Sequence, residues 1–77
     1  MTTLRQLDVV ALTRPLPEHG LEAGDTGTVV MVHGGGEGFE VEFVTLLGET
    51  VAVVTVSADA VRSLREREIA HARVLAG

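Results

Sequence analysis

The sequence predicts a mainly β protein, a small barrel of five short strands with a helix at its C-terminal end. Three observations carry that expectation. Residues of high strand propensity gather in four short runs, with glycine and proline concentrated between them. One run alternates strictly between apolar and acidic residues. After Ser57 the composition turns to arginine, glutamate, alanine and leucine, with no glycine before the last residue.

Leu7–Thr13 forms the first run, and it ends where Pro15 and Pro17 remove backbone donors. Pro17–Asp25 reads as a loop, with Gly20 and Gly24 supplying turn conformations. Thr26–His33 is the second strand. Gly34-Gly35-Gly36-Glu37-Gly38 is a hairpin tip, because so glycine-rich a stretch holds no regular structure. In Phe39–Val44, Phe39, Val41 and Phe43 alternate with Glu40 and Glu42, so one strand face is dry and the other wet. Leu47-Gly48-Glu49 makes the next turn, and Thr50–Val56 is a fourth strand. Being apolar on both faces, that strand is expected to be central or covered. Ser57 or Asp59 caps a helical turn, and a last short strand lies near Leu64. One strand, a long loop, a three-strand meander, a short turn and a last strand fit a five-stranded SH3-like barrel over residues 1–64. Residues 65–77 form a helical tail, with Ile69, Ala72 and Ala76 at helical spacing and Leu75 beside them. The stripe is thin, and so short a helix is marginal unless it docks on the barrel or on a second chain.

A chain of 77 residues is one domain at the small end of what folds alone. It contains no cysteine, which excludes disulfides, thiolate catalysis and cysteine-ligated metals. Its net charge of −5 opposes general binding to phosphate backbones. That charge is uneven: residues 1–57 carry eight acids and two arginines, and residues 58–77 carry three acids and four arginines. The N-terminus lacks an apolar signal region, and Val51-Ala52-Val53-Val54 is far too short to span a bilayer, so a cytoplasmic location is expected.

No catalytic constellation stands out. A phosphate-cradling reading of Gly34–Gly38 fails because the chain has no lysine and a strand follows. His19, His33 and His71 show no ligand spacing, so neither a metal nor a cofactor is expected. Glu40 and Glu42 read as a solvated face rather than an acid–base pair, and the serines lack a nucleophile motif. The chain is therefore expected not to be an enzyme. With two phenylalanines and neither tyrosine nor tryptophan, it also lacks the aromatic groove that grips proline-rich peptides. Gly24-Asp25-Thr26-Gly27 reads as a tight turn, with Asp25 bonding backbone amides and Gly27 as a bulge.

The segments Asp8-Val9-Val10-Ala11-Leu12, Leu16-Pro17-Glu18-His19-Gly20-Leu21, Gly24-Asp25-Thr26-Gly27-Thr28-Val29-Val30 and Val41-Glu42-Phe43, with the tail Arg65-Glu66-Arg67-Glu68-Ile69-Ala70-His71, resemble over most of residues 7–75 a family of small, uncharacterised bacterial proteins. That family is a domain of unknown function with an SH3-like barrel, so the resemblance implies a fold and no activity. The Gly24–Val30 segment alone is also similar to KOW segments of ribosomal and transcription factors and to the barrel of the nitrile hydratase β subunit. The expected role is a non-enzymatic interaction or accessory module that binds a protein partner, or itself, through the barrel and the tail. Arg65, Ile69, Ala72, Arg73 and Leu75 are the candidate partner-binding residues. The alternative is a KOW-like RNA- or ribosome-associated barrel using Arg62, Arg65, Arg67 and Arg73.

Overall fold

Five antiparallel strands form one open sheet in the structure, a computed structural model that describes residues 4–76. Residues 1–3 and 77, which the expected barrel and tail included, lie outside the described residues. The strands are β1 (Val9–Leu12), β2 (Thr26–His33), β3 (Gly38–Val44), β4 (Thr50–Ser57) and β5 (Val61–Ser63), in the spatial order β4-β3-β2-β1-β5. Single 3₁₀ turns cover Pro17–His19 and Ala58–Ala60.

Local chemistry accounts for most of this order. The β2–β3 hairpin closes at His33 and Gly38, and Gly34, Gly35 and Gly36 all take the positive φ that its tip demands. Along β3, Phe39, Val41 and Phe43 are buried while Glu40 and Glu42 lie half-exposed on the other face, as the alternation requires. Phe39, Val41 and Phe43 stand opposite Val56, Val54 and Ala52 of β4. With Val10, Leu12, Leu21, Val29, Ala60 and Val61 they enclose a single core. The irregularity in β2 falls between Val29 and Met31, so Gly27 is not the expected bulge and instead pairs regularly with Val10.

Four further expectations need correction. The sheet is not a closed SH3-like barrel. After β4 the Ala58–Ala60 turn carries the chain to β1, where β5 pairs in register from Val10 to Leu12, leaving β4 and β5 at opposite edges. Thr13 fixes that route: its amide donates to the Ala60 carbonyl (2.8 Å) and its hydroxyl to the Asp59 carbonyl (2.7 Å). β4 is accordingly an edge strand, paired with β3 alone, and neither central nor covered. The C-terminal helix is also absent. Among the described residues there is no α-helix, and residues 65–76 contain only a turn at Glu66-Arg67. The thin apolar stripe buries too little to hold a helix. The tail's charged groups instead find partners elsewhere in the chain, as described next. At Ser57 no side-chain cap forms, and its hydroxyl donates to the Asp59 carboxylate.

No helix among the described residues is long and apolar enough to cross a membrane.

Candidate functional site

One end of the sheet opens into a groove of about 1780 Å³, walled by the first loop, the β3–β4 turn and the tail. The β3–β4 turn is pinned by its own backbone. The Thr45 amide donates to the Glu49 carbonyl (2.7 Å), the Glu49 amide to Thr45 Oγ1 (3.0 Å) and the Gly48 amide to the Thr45 carbonyl (2.9 Å). That closure aims two leucines at solvent, with Leu46 80% and Leu47 100% exposed. Opposite lies the first loop, anchored by buried Leu21, which bridges to Leu16. Asp25 organises the loop's exit: its carboxylate accepts from the Glu22 amide (2.8 Å) and its carbonyl from the Leu12 amide (2.9 Å). The expectation that Asp25 bonds backbone amides therefore holds.

Two arginine–carboxylate forks hold the tail against this frame. Arg62 of β5 grips Glu68 through both terminal nitrogens (2.8 and 2.6 Å), and the Arg65 amide adds a bond to the same carboxylate (2.6 Å). Arg73 makes a bidentate pair with Asp25, its Nε lying 2.9 Å from Oδ1. It also donates to the Gly20 carbonyl (3.1 Å) and lies 3.5 Å from Glu22. Its hydrogen bonds hold the Asp25 carboxyl below its ordinary value, outweighing the opposite pull of burial. Glu68 is lowered to about 2, chiefly by Arg62 and then by the Arg65 amide.

Lowered carboxyl values stabilise the docked tail above the unfolded values, and that contribution disappears as pH falls through the folded ones. The tail's backbone chemical shifts are therefore expected to stay native at neutral pH and to move toward random coil between about pH 4.5 and pH 2. Arg73→Ala should produce the same tail shifts at neutral pH and lower the midpoint of urea unfolding slightly, since the pair is open to solvent screening. Native tail shifts in that variant would show that the fork does not hold the tail.

Ile69, Ala72, Arg73 and Leu75, all expected to bind a partner, border this groove. Arg65 does not; it lies beside a smaller cavity with Leu64 and Gly36. Arg73 is occupied within the chain, whereas Ile69 is 93% exposed. Sequence reasoning missed the larger part of the site. Of the ten large hydrophobics exposed among the described residues, seven border the groove: Val9, Val44, Leu46, Leu47, Leu64, Ile69 and Val74. The signal available was Leu46-Leu47, two leucines in a turn where polar residues are usual. Four carboxylates (Glu22, Asp25, Glu49 and Glu68) and two arginines (Arg62 and Arg73) line the same groove, and both arginines are paired. Those pairings leave two of the four arginines of the RNA reading committed to carboxylates.

The histidines are dispersed. His19 is exposed on its 3₁₀ turn, His33 meets Glu40 on the outer sheet face (3.1 Å), and His71 is exposed on the tail. Among the described residues no three histidine, aspartate or glutamate side chains gather as a metal site would require. A family model described as a domain of unknown function, DUF4926, matches residues 6–63. The matched stretch ends with β5, short of the tail. No curated protein and no solved structure matches the chain.

Proposed function

The chain belongs to the DUF4926 family, a domain of unknown function, and on that premise we propose that it is a non-enzymatic protein-binding module. Its groove takes an apolar segment of another protein flanked by basic residues. One observation carries this reading: seven of the ten exposed large hydrophobics border a single groove instead of scattering over the surface. Isolated exposed leucines are ordinary, but a contiguous apolar border is characteristic of interaction sites. Burying an exposed Leu or Ile stabilises by about 1.5–3 kcal/mol. Leu46, Leu47, Ile69 and Val74 together therefore supply a driving force that can offset the entropy of association. The excess of carboxylates selects basic flanks and gives the encounter a salt dependence.

The full chain, immobilised and exposed to extract of its own cells, is expected to retain a near-stoichiometric protein partner and to release it as salt rises. Leu46→Ser/Leu47→Ser should abolish that capture. Met31→Ser, on a side chain that is also exposed but lies away from the groove, should leave it intact. Equal capture by the leucine variant, or no partner at all, would overturn the reading.

A further inference from the structure

Past Glu68, every hydrogen bond and ion pair that ties the described tail to the rest of the chain runs through one side chain, Arg73. Among the described residues no backbone hydrogen bond joins residues 69–76 to the first loop or the sheet, and Ile69 and Val74 stand exposed. The seat that Arg73 occupies is built without it. The Asp25 amide donates to the Glu22 carbonyl (3.0 Å), and the Asp25 carboxylate accepts from the Glu22 amide in return. The Gly24 amide donates to the Leu12 carbonyl (2.8 Å) and the Gly20 amide to the Pro17 carbonyl (3.1 Å). These bonds fix the Asp25 carboxylate and the Gly20 carbonyl with no contribution from the tail. The seat lies inside the stretch that the family model matches, and the arginine that fills it comes from outside that stretch.

The geometry points to a guanidinium-binding seat on the first loop, which Arg73 fills in cis and which an arginine of the protein partner takes over on binding. The inference rests on the groove reading and names the residue that the partner's basic flank must carry. Shape selects arginine. Nε and one terminal nitrogen of Arg73 meet the two oxygens of Asp25, and that terminal nitrogen also reaches the Gly20 carbonyl. An ammonium is a point charge and cannot span these acceptors as a planar fork does. Charge and stoichiometry single out a different protein as the occupant. A second copy brings its own −5 and a seat already filled by its own Arg73, so exchanging tails between copies adds no contact. A basic partner gains the seat and is drawn to it by the net negative charge. The tail yields at small cost, because a part-exposed ion pair contributes little and no other polar tie holds residues 69–76. The partner still competes with an arginine tethered at an effective concentration on the order of millimolar, so it needs the apolar border of the groove as well as the seat.

The test opens the seat and refills it in trans. An acetylated, amidated peptide with the sequence of residues 69–76, Ile-Ala-His-Ala-Arg-Val-Leu-Ala, supplies the guanidinium. Titrated into the ¹⁵N-labelled full chain carrying Arg73→Ala, it should shift the Leu21 and Glu22 amides saturably, since one follows the Gly20 carbonyl and the other bonds the Asp25 carboxylate. Wild type, its seat filled, should bind the peptide about tenfold or more weakly. The peptide carrying Arg73→Lys should also bind the opened chain about tenfold or more weakly. Asp25→Asn added to Arg73→Ala should cost a similar factor, with the Val10 and Val41 amides reporting that the core stays native. The lysine comparison needs no change at Asp25, so it decides the matter even where that double variant unfolds. No saturable shift, equal binding of the lysine peptide, or equal binding by wild type would each overturn the proposal. So would a wild-type dimer that Arg73→Ala dissolves, because the seat would then belong to a second copy. Failed capture from cell extract sinks the groove reading without altering this titration, and a failed titration sinks the seat without altering the capture.

Discussion

Gly27→Val is expected to leave the chain largely unfolded at room temperature, and Gly27→Ala to cost about 2–3 kcal/mol in urea unfolding. The reason is space rather than backbone conformation. A Cβ at Gly27 would lie 2.6 Å from Val41 Cγ1, 2.9 Å from the Glu42 carbonyl oxygen and 3.0 Å from Phe43 Cδ1. Val41 and Phe43 are core side chains, and Glu42 belongs to the strand that pairs with β2, so none of the three can yield cheaply. Gly27 also pairs with Val10, so β2 is clasped between β1 and β3 at this point and cannot retreat. A domain of 77 residues is stable by roughly 4–12 kcal/mol at the usual 0.05–0.15 kcal/mol per residue. The added methyls of valine push the cost toward that whole range. A Gly27→Ala variant within about 0.5 kcal/mol of wild type would show that the strands approach less closely than described.

The same glycine shows where the sequence was legible and where it was not. Gly27 stands out in Gly24-Asp25-Thr26-Gly27, but its role depends on Val41 and Phe43, which reach it only across the sheet. Strand existence is written locally. Apolar alternation in Phe39–Phe43 and the glycines of Gly34–Gly38 fix β3 and its hairpin without reference to the rest of the chain. Which edges meet is not local, because it depends on the path of the Ala58–Ala60 turn and on Thr13 holding it. The tail shows the same limit more sharply. Residues 65–76 have helical composition, yet Asp25, which holds Arg73, lies 48 positions away and leaves no mark in the tail's own pattern. Charge-assisted bonds to a fixed carboxylate outweigh the weak propensity of a short, poorly buried helix. The groove combines both cases: Leu46-Leu47 was visible as an anomaly in a turn, while its convergence with Ile69 and Val74 required the docked tail.

Phe43→Ala is the second large effect, an expected loss of about 3–5 kcal/mol. Phe43 is only 2% exposed and has the greatest volume among the fully buried side chains. Its cross-strand neighbour on β4 is Ala52, and on the β2 side it packs beneath Gly27. With alanine and glycine as its neighbours on the two adjoining strands, no large side chain there stands ready to collapse into the space it vacates, which places the cost high in that range. Phe43→Leu keeps most of the volume and should lose about 1.5 kcal/mol or less. Guanidinium unfolding of the two variants separates the cases, with the midpoint falling in that order and the slope unchanged. The position also bears on the groove, because Phe43 lines it from below while the turn carrying Leu46 and Leu47 begins two residues later. A Phe43→Leu variant that stays folded should therefore bind the groove's partner more weakly than its stability alone implies. A variant with full affinity would mean that the turn holds its leucines in place through the Thr45–Glu49 bonds alone, without support from the core.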